Sequence, residues 1–168
     1  MKLVLLIAAL ISLNAGAEKR EHKAHKHGAA KIDMAFQGPN GEMNLEMASE
    51  GIYGFEYVPK TDADKKKQHD AFSLLETNIG DMVQFDASLK CEISKTKMEV
   101  DQHEGGKHSD IDATFSVICQ KSPVGSTLTF NIQKTFPKLK EVNVQVVADD
   151  VQKSFTAKKD GSKLVLKK

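Results

Sequence analysis

The stretch from Lys31 to Ala48 constrains the fold most: KIDMAFQ places Ile32, Met34 and Phe36 at every second position, and EMNLEMA does the same with Met43, Leu45 and Met47. Gly38, Pro39, Asn40 and Gly41 lie between the two runs, and these are turn-forming residues. Period-two alternation puts one face of a strand in a core and the other in water, so the stretch predicts an antiparallel hairpin with one wet face. The three methionines fall on the apolar phase. That is the place for core packing, against a rival reading in which soft thioethers collect copper(I).

The period changes once. From Thr61 to Val83, Phe72, Leu75, Ile79 and Met82 or Val83 recur at spacings of three and four, which predicts one amphipathic helix over about residues 62–83, capped at its start by Thr61 or Asp62. Gly80 weakens its last turn. Tyr53, Phe55 and Tyr57 alternate in a short extended run before it. After it come further strand-like segments at 87–100, 110–120, 127–136, 141–149, 152–158 and 162–168, separated by Gly105-Gly106, Ser122-Pro123, Pro137, Asp149-Asp150 and Asp160-Gly161. The expected class is α+β: a mostly antiparallel sheet with one helix against it. A closed or two-sheet β arrangement carrying one helix is the rival.

At the N-terminus, Lys2 is followed by an apolar run from Leu3 to Leu13 and then by Ala15, Gly16 and Ala17, the order of a secretory signal peptide cleaved after Ala17. The run is too short to span a bilayer, which needs ~20 residues. The expected division is therefore a signal over 1–17, a His-rich arm over 18–30 and one domain over 31–168, in a periplasmic protein with no membrane insertion after cleavage. Without Lys2 the basic residues equal the 23 acidic ones, so the charge calls for neither nucleic acid nor an anionic membrane. Two cysteines in an exported chain, Cys91 and Cys119, predict a disulfide. Buried free thiols and a zinc thiolate site are the alternatives.

Of the 6 histidines, His22, His25 and His27 sit in EHKAHKHG, His103 and His108 share DQHEGGKHSDID, and His69 stands alone near the edge of the helical stripe. The first cluster has no apolar period and reads as an arm that gains order only around a metal, against a plain polar leader. If Cys91 stands opposite Cys119, residue 100 stands opposite 110 and the tip is 101–109. Its histidines then approach across a Gly-Gly turn, near Glu104, Asp101 and Asp110. Imidazole nitrogen and carboxylate oxygen suit zinc. A solvated tip with incidental polar residues is the competing reading. His69 reads as a boundary residue.

EHKAHKHGAAKIDMAFQG, then GFEYVPKTDADKK, the Cys91 strand, HSDIDATFSVIC and TFPKLKEVNVQVV resemble the ZrgA-type periplasmic zinc-uptake proteins over most of the chain. The resemblance implies a zinc-binding envelope protein that works with an inner-membrane zinc importer or its binding protein. Its ligands are expected in the N-terminal His stretch (His22, His25, His27) and in the insert between the cysteines (His103, Glu104, His108); apart from the resemblance, Asp110 is read as adding charge neutralisation. Zn²⁺ is the expected ligand and no enzymatic activity is expected. A structural or partner-binding envelope domain is the alternative. A zinc hydrolase is the weaker one, since no H-E-x-x-H or comparable compact motif is present.

Overall fold

The computed structural model describes residues 27–103 and 105–168. Two sheets and one long helix enclose the core. β1 (Ala29–Gln37) and β2 (Asn40–Ala48) form the expected hairpin, with Ile32 opposite Leu45 and Met34 opposite Met43. All three methionine side chains, Met34, Met43 and Met47, are buried among apolar neighbours, as packing requires. β4 (Glu92–Gln102), β5 (Ser109–Ile118), β7 (Glu141–Ala148) and β8 (Val151–Ala157) complete a six-stranded sheet in the order β4-β5-β2-β1-β7-β8. Its pairs are antiparallel except β1 with β7. β3 (Val83–Phe85), β6 (Thr127–Phe130) and β9 (Ser162–Val165) make a smaller antiparallel sheet. The fold is α+β.

The main helix, α2 (Asp62–Met82), starts at Thr61, whose side chain accepts from the Asp64 amide. Ala71, Leu75, Ile79 and Met82 are its buried stripe, and Phe72 packs beside them. Gly80 does not end it; the helix runs straight into β3. His69 is exposed on its surface.

Three expected strands are shorter or differently shaped. Tyr53 closes a short helix, α1 (Ser49–Tyr53), rather than opening an extended run, because Gly54 takes a left-handed φ of 92° and its amide returns to the Glu50 carbonyl. Phe55 and Tyr57 still stack, with ring centroids 4.6 Å apart, but from a segment without strand pairing. Residues 127–136 are a strand only to Phe130. Ile132–Thr135 then forms a single helical turn, α3, whose Gln133 and Lys134 amides donate to the Asp160 carboxylate. Residues 87–89 are a 3-10 turn, so β4 begins only at Glu92.

The hairpin of β4 and β5 is fastened at its base by the Cys91–Cys119 disulfide, so neither sulfur is a thiolate ligand. From Glu92 to Lys95 the pairing follows from the two cysteines facing each other: Glu92 meets Ile118 and Lys95 meets Phe115. A bulge then absorbs Thr96, and Lys97 meets Thr114. The extra residue explains the sequence. Ile93 and Met98 fall on opposite phases of a regular strand, yet the bulge turns both toward the core beside Val117 and Ala113. It also displaces the tip by one step: Val100 faces Ile111, and Gln102 with Ser109 is the last rung.

Candidate metal centre

That last rung holds the centre together. Ser109 is buried, and its hydroxyl donates to the backbone carbonyl of Glu56 over 2.9 Å. The Gln102 amide nitrogen donates to the same carbonyl over 3.2 Å and to the His108 carbonyl over 2.7 Å. The His103 amide also donates to the His108 carbonyl, and Gly105 and Gly106 take positive φ so that the loop can close. The Gln102–Ser109 rung and the segment after α1 are thereby tied together.

Glu56 is the buried member. Its side chain is 8 % exposed, and its two oxygens face two imidazoles. Oε2 lies 2.5 Å from His108 Nδ1, and Oε1 lies 3.5 Å from His27 Nδ1. Oε1 has no hydrogen-bond partner among the described residues. A buried carboxylate oxygen left without a donor is costly, by about 1–3 kcal/mol or more for a charged group, and a cation would satisfy it. The two imidazoles are half exposed, with ring centroids 6.3 Å apart, so an ion can reach all three donors from solvent.

His27 reaches this place through Gly28. The glycine adopts φ +79°, and a Cβ on it would meet the Lys138 carbonyl at 2.9 Å. Its own carbonyl accepts from the Lys140 and Glu141 amides, which ties the start of β1 to the approach to β7. His27 therefore projects from a fixed turn, with Nδ1 also 3.6 Å from Glu50 Oε2.

One ligand atom from each of His27, Glu56 and His108 lies within 4.8 Å of the others. Two ligands of one tetrahedral zinc stand about 3.3 Å apart when bonds are near 2.0–2.1 Å, so small side-chain rotations bring the three onto a single ion. At 2.5 Å, the His108 and Glu56 atoms share a hydrogen bond, and a metal ion held by both would take the place of its proton.

The other expected ligands are distributed differently. His103 turns away from His108 and places Nε2 2.9 Å from Asp110 Oδ2. Asp110 is buried at the end of a cleft that it lines with Asp101, Asp112, Glu99, Glu46 and Asp33. The two histidines of the tip thus serve two pairs, His108 with Glu56 and His103 with Asp110. His22, His25 and Glu104 lie outside the described residues. Glu56 was not singled out by sequence reasoning. Its one signal is an acid set among Phe55, Tyr57 and Val58, and in an extended strand that position reads as the wet face. Beside it, burial first and then the Asp64 carboxylate raise the Tyr57 hydroxyl above its usual range.

The fold and cluster define an α+β domain with a candidate cation centre of imidazole and carboxylate donors, set where the start of β1 meets the tip of a hairpin. Residues 24–166 match the ZrgA family of zinc uptake proteins, and the chain belongs to that family. No curated protein matches it. Among the described residues no helix is long and apolar enough to cross a membrane.

Proposed function

We propose that this protein is a non-enzymatic, periplasmic zinc-binding protein that captures or buffers Zn²⁺ and passes it toward an inner-membrane importer. In this reading residues 1–17 are a cleaved signal and 31–168 the body of the zinc-binding domain, while the His-rich stretch 18–30 runs into it through the turn at His27 and the first residues of β1. His27, Glu56 and His108 hold the ion. His22 and His25 raise its local concentration from the arm, and His103, Glu104 and Asp110 add a second set of donors at the hairpin.

The observation that carries the reading is the buried Glu56 carboxylate, with one oxygen unpartnered and an imidazole facing each oxygen. Membership of a zinc uptake family supports zinc as the cargo. Three protein donors, two of them exposed, leave the ion open to exchange, which suits cargo better than a closed structural site.

Calorimetric zinc titration of the mature protein against Glu56→Gln tests this. The amide keeps the shape and removes the charge, and zinc affinity is expected to fall by at least about tenfold. Equal affinity in the two proteins overturns the assignment of the centre. Nickel and copper(II) titrations alongside show the order of preference, since imidazole also suits both.

A further inference from the structure

We infer that Glu50 is a fourth zinc ligand and that Lys138 is the latch that holds it back from the ion. The inference rests on the zinc-binding reading of the His27, Glu56 and His108 centre.

Glu50 sits in the first turn of α1, and its Oε2 is 3.6 Å from His27 Nδ1, almost the distance from that nitrogen to Glu56 Oε1. The His27 nitrogen is therefore within reach of two carboxylates, one from α1 and one from the segment after it. Glu56 is fixed by burial and by the hairpin rung beneath it. Glu50 is more exposed and is held from the other side: Lys138 Nζ lies 3.2 Å from its Oε1 and 3.4 Å from its backbone carbonyl. The same ammonium thus pairs with the side chain and caps a carbonyl of α1.

Charge and coordination number both call for Glu50. Two neutral imidazoles and one carboxylate leave a bound Zn²⁺ with one uncompensated positive charge and three protein donors. A second carboxylate neutralises the ion and completes a tetrahedral set. Rotating Glu50 toward the ion means giving up Lys138. That pair is exposed, and exposed pairs contribute only about 0.2–1 kcal/mol, so it yields to zinc and re-forms when zinc leaves. Lys138 thereby weakens the fourth bond of loaded zinc, and it takes the carboxylate back on release.

The test uses the mature protein with zinc chloride and reads two things: zinc affinity by calorimetry, and acetylation of Lys138 by mass spectrometry, with Lys163 as an internal reference. Zinc loading should raise acetylation of Lys138 relative to Lys163. In Glu50→Gln, Lys138 should already be reactive without zinc and should not respond to it, and zinc affinity should fall by about tenfold. Lys138→Gln should bind zinc about two- to fivefold more tightly than the parent, a gain the size of the lost ion pair. If the parent binds zinc and loses it in Glu56→Gln, while Lys138 reactivity ignores zinc and Glu50→Gln binds like the parent, the latch is wrong and the zinc centre stands. If the parent binds no zinc, or Glu56→Gln binds as the parent does, the centre itself is wrong and the latch falls with it.

Discussion

His108 Nδ1 and Glu56 Oε2 stand 2.5 Å apart although 52 positions separate them in the chain. Nothing local joins them. The Gln102 and Ser109 rung carries His108 to the Glu56 backbone, and that rung is where it is because β4 has one residue more than its partner.

Deleting Thr96 should therefore damage both the core and the centre. Without the bulge, either Met98 or Ile93 moves to the wet face, which should cost about 2 kcal/mol in denaturant unfolding. The rung would lose its grip on Glu56, and zinc affinity should fall with it. A deletion variant of parent stability and parent affinity would show that the register is not set by the bulge.

Gly28→Ala should separate the turn from the ligand it presents. A left-handed φ costs a non-glycine residue about 1–2 kcal/mol, and the new methyl would crowd the Lys138 carbonyl. The expected result is a modest drop in melting temperature with a clear loss of zinc affinity, since His27 is displaced while Glu56 and His108 stay. Equal affinity in calorimetry would remove His27 from the centre.

Zinc binding should weaken as pH falls from about 7.5 to 5.5, because a ligating imidazole must be neutral and histidine in water titrates near ~6.5. Competition titrations at several pH values check this. A flat profile would assign the binding to carboxylates alone.

Asp149 gives a pH effect with no metal in it. The Gly38 amide first, and the Ser122 hydroxyl second, hold its carboxyl below the usual range. A depressed folded value means stability that is present above the unfolded value near ~3.9 and lost as pH falls through the folded one. Asp149→Asn keeps a residue that tolerates the φ of 51° and removes the charge. The variant should be less stable than the parent at pH 7, and the gap in urea midpoint should close below about pH 4. A gap that persists at low pH would trace to geometry instead.

Replacing both cysteines with serine should cost about 2–4 kcal/mol, because the bond closes a loop across a sequence separation of 28. Urea unfolding of oxidised, reduced and serine proteins gives the comparison, and a serine variant as stable as the oxidised parent would remove that role.

Period and turn chemistry made the hairpin of β1 and β2, the long helix and the class legible, because each depends on contacts within a few residues or on one apolar face. The bulge at Thr96 left a trace, the phase change between Ile93 and Met98, which becomes readable once the cysteines set the register. α3 did not, since it is held by a distant partner, Asp160 against the amides of Gln133 and Lys134, and the one local sign of α1, Gly54 as its left-handed cap, was masked by the alternation of Tyr53, Phe55 and Tyr57. His27 and His108 were visible as members of two clusters. Their convergence on one carboxylate was not, because Glu56 lies in neither cluster and follows the alternation of a strand that does not form.

The disulfide at the far end of the hairpin has a chemical consequence besides its mechanical one. Ten steps of strand, at about 3.3 Å each, put it roughly 33 Å from the rung that carries His108. Thiolates are softer and more avid zinc ligands than imidazoles, and two of them free on the same domain would compete with the His27, Glu56 and His108 set for a zinc ion. Bonded to each other at that distance, Cys91 and Cys119 offer no thiolate, and a zinc ion at the proposed centre would meet only nitrogen and oxygen, from which it could be taken again.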